Sequence, residues 1–147
     1  MDDRFPCLSI RQPWADLILW NVKDIENRSK VTHFRGKILI HASATKPNNT
    51  ALAGFENVAR KRKFLRKGEA YTPTFGAILG MVDIVDCVTK NDSEWFDGPF
   101  GWVISNPVTF SRPIPFKGQV GIFYVPRILL AGSPAARARA GYSHATA

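Results

Sequence analysis

The sequence predicts an α+β fold, a small mixed β-barrel flanked by two or three short helices. Three observations carry this. Several short apolar stretches follow the two-residue rhythm of strands, while the segment from Leu52 to Leu65 repeats at steps of three and four, the rhythm of a helix. Ten prolines and eleven glycines punctuate 147 residues, which suits short elements joined by many turns. The apolar fraction of 45%, with 12% aromatics, supplies a core for one domain, and 22% charged residues do not describe a disordered chain.

The elements follow in order. Pro13 stands at the first position of an apolar helix from Trp14 to Trp20, which Asn21 ends. Lys23 to Arg28 alternates polar with apolar residues and is expected to be extended. Lys37 to Ser43 is a strand, with Ile38, Ile40 and Ala42 on one face and Leu39, His41 and Ser43 on the other. Asn48 to Lys67 is a second helix. Asn49 or Thr50 caps it, Leu52, Phe55, Val58, Arg62 and Leu65 share its helical spacing, and Gly68 stops it. Phe75 to Val88 is a long apolar strand in which Gly76 and Gly80 mark a bulge or a close backbone approach. Residues 91–100 form a loop with one helical turn at Ser93 to Phe96. Trp102 to Ser105 and Gly121 to Val125 are the last strands, and Pro107, Pro113 and Pro115 between them suit edges and turns. The domain is therefore expected over residues 1–130. Residues 131–147 read as a flexible tail with a short helix at Ala135 to Ala140.

Cys7 and Cys87 make neither a disulfide framework nor a zinc spacing and are expected as small buried side chains. No apolar run approaches the roughly 20 residues needed to cross a bilayer, and no signal-peptide core follows Met1-Asp2-Asp3-Arg4. The expected compartment is the cytoplasm, and no membrane partner is expected.

The charge is uneven. Of the net +8, Arg60, Lys61, Arg62, Lys63, Arg66 and Lys67 contribute six positive charges within eight residues. Such a patch attracts phosphate backbones through counterion release, although a run of this kind also serves as a solvated helix face.

The residues with chemistry lie mainly between 11 and 46. Arg11, Lys23, Arg28 and Arg35 supply cations. Arginine grips phosphate bidentately and stacks on a base, while lysine is a point charge with a tunable pKa. Gln12 offers donors and acceptors for a base edge, and Trp14 and Trp102 offer stacking surfaces. Ser43 and Lys46 follow the strand, Lys46 as a phosphate contact. Lys23 and Glu26 form the best catalytic pair. In an extended segment they point to opposite faces, and only a bend brings them together; the lysine would then move a proton, with the carboxylate tuning it. An ion pair that orders the loop is the competing reading. His41 and Ser43 share a strand face, but no third residue orients them. Asp83 and Asp86 face opposite ways and do not chelate one ion easily. The histidines lack metal-ligand spacing, so no cofactor is expected and a divalent metal stays open.

Three segments carry a resemblance: Ser9-Ile10-Arg11-Gln12-Pro13-Trp14-Ala15; Lys23-x-Ile25-Glu26-Asn27-Arg28; and Arg35-Gly36-x-Ile38-x-Ile40-His41-Ala42-Ser43. Weaker matches are Phe75 to Asp83, Gly101-Trp102-Val103-Ile104, and Lys117-Gly118-x-x-Gly121 to Pro126. Together they resemble the ASCH domain, a relative of the PUA-type RNA-binding barrel. The resemblance implies a PUA-like barrel whose two helices flank an opening. It also implies single-stranded RNA or a nucleotide as partner, held in a basic cleft by Arg11, Gln12, Trp14, Arg28, Ser43, Lys46, Arg62, Lys63 and Trp102. Relatives with hydrolase roles add two alternatives that would use Lys23 and Glu26. One is a ribonuclease. The other is an amidohydrolase of acylated or otherwise modified nucleosides, whose members carry a threonine nucleophile three residues after the lysine; here that position is Glu26. A protein-interaction module of the transcription-cofactor kind is a third alternative.

Overall fold

The computed structural model describes residues 3–130; Met1, Asp2 and residues 131–147, with the expected tail and its short helix, lie outside the described residues. Strand β1 (Arg4–Ile10) leads to helix α1 (Trp14–Leu19), strands β2 (Ile25–Arg28) and β3 (Gly36–Ala42), helix α2 (Asn49–Lys61) and strands β4 (Ala77–Val88), β5 (Phe100–Pro115) and β6 (Ile122–Pro126). A 3-10 turn, Arg127–Leu129, follows. The six strands form one mixed sheet in the order β2-β5-β4-β3-β1-β6. Among the described residues its only parallel pair is β1 with β3.

The α+β class is as expected, but closure of the barrel is not seen. β2 and β6 end the sheet and do not pair with each other. The sheet nevertheless curls. Four ladder steps separate β2 from β1, which in a flat sheet is about 19 Å. Arg28 of β2 still places its guanidinium 2.9 Å from the Ser9 carbonyl oxygen of β1.

The alternation read in β3 sorts the core. Ile38, Ile40 and Ala42 join Leu8, Ile10, Ala15, Ile18 and Leu19 on the face that carries α1. Leu39 lies on the other face with Cys7, Ile78, Phe110, Phe123 and Val125. Fully burying one such aliphatic side chain stabilises by about 1.5–3 kcal/mol, which pins the register. Leu17 points away from the sheet and packs with Val22, Phe55, Ala59 and Leu65 under α2. Gly80 is required by packing. A Cβ there would lie 2.2 Å from the Val108 carbonyl oxygen and 2.9 Å from Leu19 Cδ2, so β5 and α1 approach β4 more closely than a side chain permits.

Three elements depart from expectation. Arg4–Ile10 is a strand although Pro6 interrupts its pattern; it is held between β3 and β6. β5 runs through all three prolines. Only Phe100 to Val103 pair with β2, so beyond Ile104 one edge of β5 has no neighbouring strand among the described residues, and proline's missing N–H costs no ladder bond there. Helix α2 is capped by Asn48, whose side chain accepts from the Ala51 N–H at 2.8 Å, and it ends at Lys61. Lys63 adopts φ 64°, and the N–H groups of Phe64 and Leu65 turn back to the Ala59 carbonyl. This tucks Leu65 into the core. Among the described residues no helix is long and apolar enough to cross a membrane.

Candidate functional site

A cleft of about 970 Å³ opens where β1 and β3 end. Its walls are Ser9 and Ile10 of β1 with Arg11 after it, Trp14 of α1, Glu26 to Arg28 of β2 with Ser29 after it, His41 of β3 with Ser43 to Thr45 after it, Gly76, and the loop Phe116 to Gly121.

One wall is an interlocked row of charges. Lys23 takes part in the turn that follows α1, its N–H bonded to the Leu17 carbonyl at 3.0 Å. It therefore precedes β2, and the chain bends before Glu26. That bend brings the pair together. Lys23 Nζ donates to the Ile25 carbonyl at 2.5 Å and to Glu26 Oε1 at 3.3 Å. Glu26 Oε2 accepts from Arg28 Nε at 3.0 Å. Arg28 then reaches Ser9 O and lies 5.6 Å from the centre of the Trp102 ring, within cation–π range. Lys23 is 6% exposed. Burial pulls its pKa below the ordinary 10.5, while the charge and hydrogen bond of Glu26 act the other way.

The second wall is made by the parallel register, which sets Ser9 opposite His41. His41 Nε2 lies 2.6 Å from the Phe116 carbonyl oxygen, an acceptor only, so Nε2 carries the proton. Burial lowers the His41 pKa below 6.5 and favours the neutral ring. Nδ1 then accepts from the Ser9 hydroxyl at 2.9 Å. The loop closes directly over this pair: a Cβ on Gly118 would lie 2.6 Å from His41 Cε1 and 3.0 Å from Ser9 Oγ. The imidazole can accept the Ser9 proton, but a backbone carbonyl, not a carboxylate, orients it.

The cleft gathers Arg11, Trp14, Glu26, Arg28 and Ser43. Arg11 is exposed and Trp14, 36% exposed, stands at the mouth. Lys46 is exposed just beyond Thr45 and outside the lining. Three expected contacts lie behind the surface. Gln12 is buried, its amide donating to the Thr74 carbonyl at 3.1 Å and accepting from the Asp16 N–H at 3.1 Å. It orders the start of α1 and leaves no free edge for a base. Trp102 is buried in the core with its indole N–H on the Lys30 carbonyl at 3.0 Å. It backs Arg28 and offers no open face. Lys23 lies behind Glu26 and outside the lining.

Arg62 and Lys63 are not at this cleft. Arg62 lines a separate groove of about 280 Å³ with Val58, Lys61, Glu94 and Trp95, and pairs with Glu94 at 2.7 Å. Arg35 pairs with Asp86 at 3.7 Å, and Asp83 with Lys37 at 3.5 Å. No cluster of three or more metal-ligating side chains occurs among the described residues. Sequence reasoning missed Ser9 as a partner of His41, and it missed Lys117 and Gly118 as cleft wall. The Lys117-Gly118-x-x-Gly121 run was the available signal for the loop.

The ASCH domain family model matches residues 8–102. Activating signal cointegrator 1 of Homo sapiens is 32% identical over 128 residues, an alignment covering 80% of this chain and 22% of that protein. The Mus musculus protein of the same name is 30% identical over the same length and shares. The chain thus spans about a fifth of the curated relatives it matches. The family match runs from the last three residues of β1 to the first three of β5, with the Arg11, Glu26, Arg28 and His41 walls inside it, and on that ground the chain belongs to the ASCH domain family.

Proposed function

We propose that this domain binds single-stranded RNA or a nucleotide in the cleft between β1, β2 and β3. One observation carries the reading. The Arg28 guanidinium is fixed from behind by Glu26, Ser9 O and Trp102, and it lines a cleft that also holds Arg11, Lys117 and Trp14. A preorganised arginine binds a phosphate with little ordering cost, and an exposed indole at the mouth takes a base by stacking. Bases of a single strand are free to stack, so a single strand fits better than a duplex. Arg11, Arg28 and Lys117 take phosphate, Trp14 takes a base, and Ser43 offers a hydroxyl at the floor. Lys46 lies one step outside.

The ribonuclease and amidohydrolase alternatives draw on the lowered pKa of Lys23, which suits proton transfer. Against them, Lys23 Nζ is held by Ile25 O and Glu26, behind the cleft surface. The name of the relatives supports a different alternative, a module that contacts proteins within a signal cointegrator.

The test is anisotropy with labelled single-stranded and duplex RNA, followed by a gel of the RNA with and without chelator. Arg11→Glu is expected to weaken single-strand binding about tenfold or more, with duplex bound more weakly and the RNA intact. Equal affinity of wild type and Arg11→Glu would overturn the cleft assignment. Product that disappears in Lys23→Ala, with the fold preserved, would establish the hydrolase reading instead.

A further inference from the structure

We propose that the small groove beside α2 is a second subsite for the same strand, so that the domain takes an oligonucleotide in preference to a mononucleotide. This rests on the cleft reading above and extends it by one contact surface.

Two features join the cleft to the groove. The first is aromatic. Trp14 at the cleft mouth and Trp95 in the groove stand 6.5 Å apart, edge to face. The second is a shared anchor. Asn27 lines the cleft, and its side chain holds the loop that carries Trp95. Nδ2 donates to the Trp95 carbonyl at 3.0 Å, while Oδ1 accepts from the Asp97 and Gly98 N–H groups at 2.8 and 3.0 Å. Trp95 is therefore set relative to the cleft by a residue of the cleft wall. Trp95 is half-buried against the cluster under α2 and lines the groove with its remaining surface.

Beyond Trp95 the surface is cationic. Lys61 and Arg62 line the groove, and Lys63, Arg66 and Lys67, which follow them in the chain, are exposed. Glu94 is the one carboxylate lining the groove, and it is paired with Arg62. That pair is open to solvent and of little strength, so a phosphate can replace the carboxylate on Arg62. Alternating aromatic and cationic side chains along a groove are how sequence-tolerant single-strand sites are built.

The experiment compares a labelled uridine dinucleotide with a twelve-residue oligouridylate by anisotropy, across a salt series, on the full chain. The longer strand is expected to bind about tenfold or more tightly. Lys61→Glu with Arg62→Glu, both exposed positions, should remove that advantage and leave the dinucleotide affinity unchanged. Loss of two phosphate contacts lowers the salt slope by about 1.4. Photocrosslinking of an iodouridine-substituted strand should label Trp95 for the long strand only, a readout that needs no variant. Equal affinity for both lengths, or an unchanged slope in the double variant, overturns the second subsite and leaves the cleft reading standing. Failure of the dinucleotide to bind, with the long strand indifferent to Arg11→Glu, overturns the cleft reading first.

Discussion

The cleft wall and the end of α2 both carry cations, yet they are built on opposite plans. At the wall, Lys23, Glu26 and Arg28 are interlocked, largely withdrawn from water and tied to the backbone at Ile25 and Ser9. At the end of α2 and just past it, Lys61, Arg62 and Lys63 are exposed, and the Arg62–Glu94 ion pair there is open to solvent. A buried network has few alternatives and specifies one geometry, at the risk of a large penalty if a member is lost. A solvated set is tolerant and adds affinity mainly through released counterions.

The largest expected effect breaks the first half of this contrast. Glu26→Ala leaves Lys23 buried without its carboxylate and Arg28 without its brace. A loss of about 3–5 kcal/mol in chemical denaturation is expected; a loss no larger than that of a surface substitution would show the network to be solvated. Gly118→Ala comes next. Its methyl group would collide with His41 and Ser9, and a cost of about 1–3 kcal/mol from overpacking is expected, with weaker nucleotide binding as the loop lifts. A neutral result would show the loop to be free of the wall.

His41 sharpens the comparison through pH. Its folded pKa lies below the ordinary 6.5. As pH drops below 6.5 the unfolded chain takes up a proton that the folded chain refuses, so stability is full above 6.5 and falls below it, by at most about 1.4 kcal/mol per pH unit. His41→Gln should flatten that slope in urea melts run from pH 7.5 to 5. The smallest effect belongs to the turn after α2. Lys63→Glu is expected to leave the thermal midpoint unchanged and to lower the salt slope of long-strand binding by about 0.7.

Local patterns were legible where the physics is local. The alternation of Ile38, Leu39, Ile40 and His41 sorted both sheet faces correctly, and the helix from Trp14 followed from its apolar run. β1 was missed because Pro6 breaks its rhythm and its stability comes from neighbours on both sides. The end of α2 was placed at Gly68, yet the chain reverses at Lys63 because burying Leu65 outweighs the strain of a left-handed lysine. At the site, Arg11, Trp14, Glu26 and Arg28 were found as a motif. The Ser9–His41 contact was not, since it joins residues 32 apart through a strand register that no short pattern encodes. Gln12 and Trp102 illustrate the converse. Their side-chain types suit a ligand, but the partners that occupy them, Thr74 and Lys30, come from distant segments.

Gly80 has a reach that its own surroundings do not suggest. It sets how deeply Leu19 sinks toward the sheet, and Leu19 shares one short rigid rod with Trp14. A methyl group at position 80 would meet the Val108 carbonyl first, so β5 would have to give way, with the tip of Leu19 turning aside after it. The distance at which β5 and α1 settle on β4 is thus decided at a spot that has no side chain of its own.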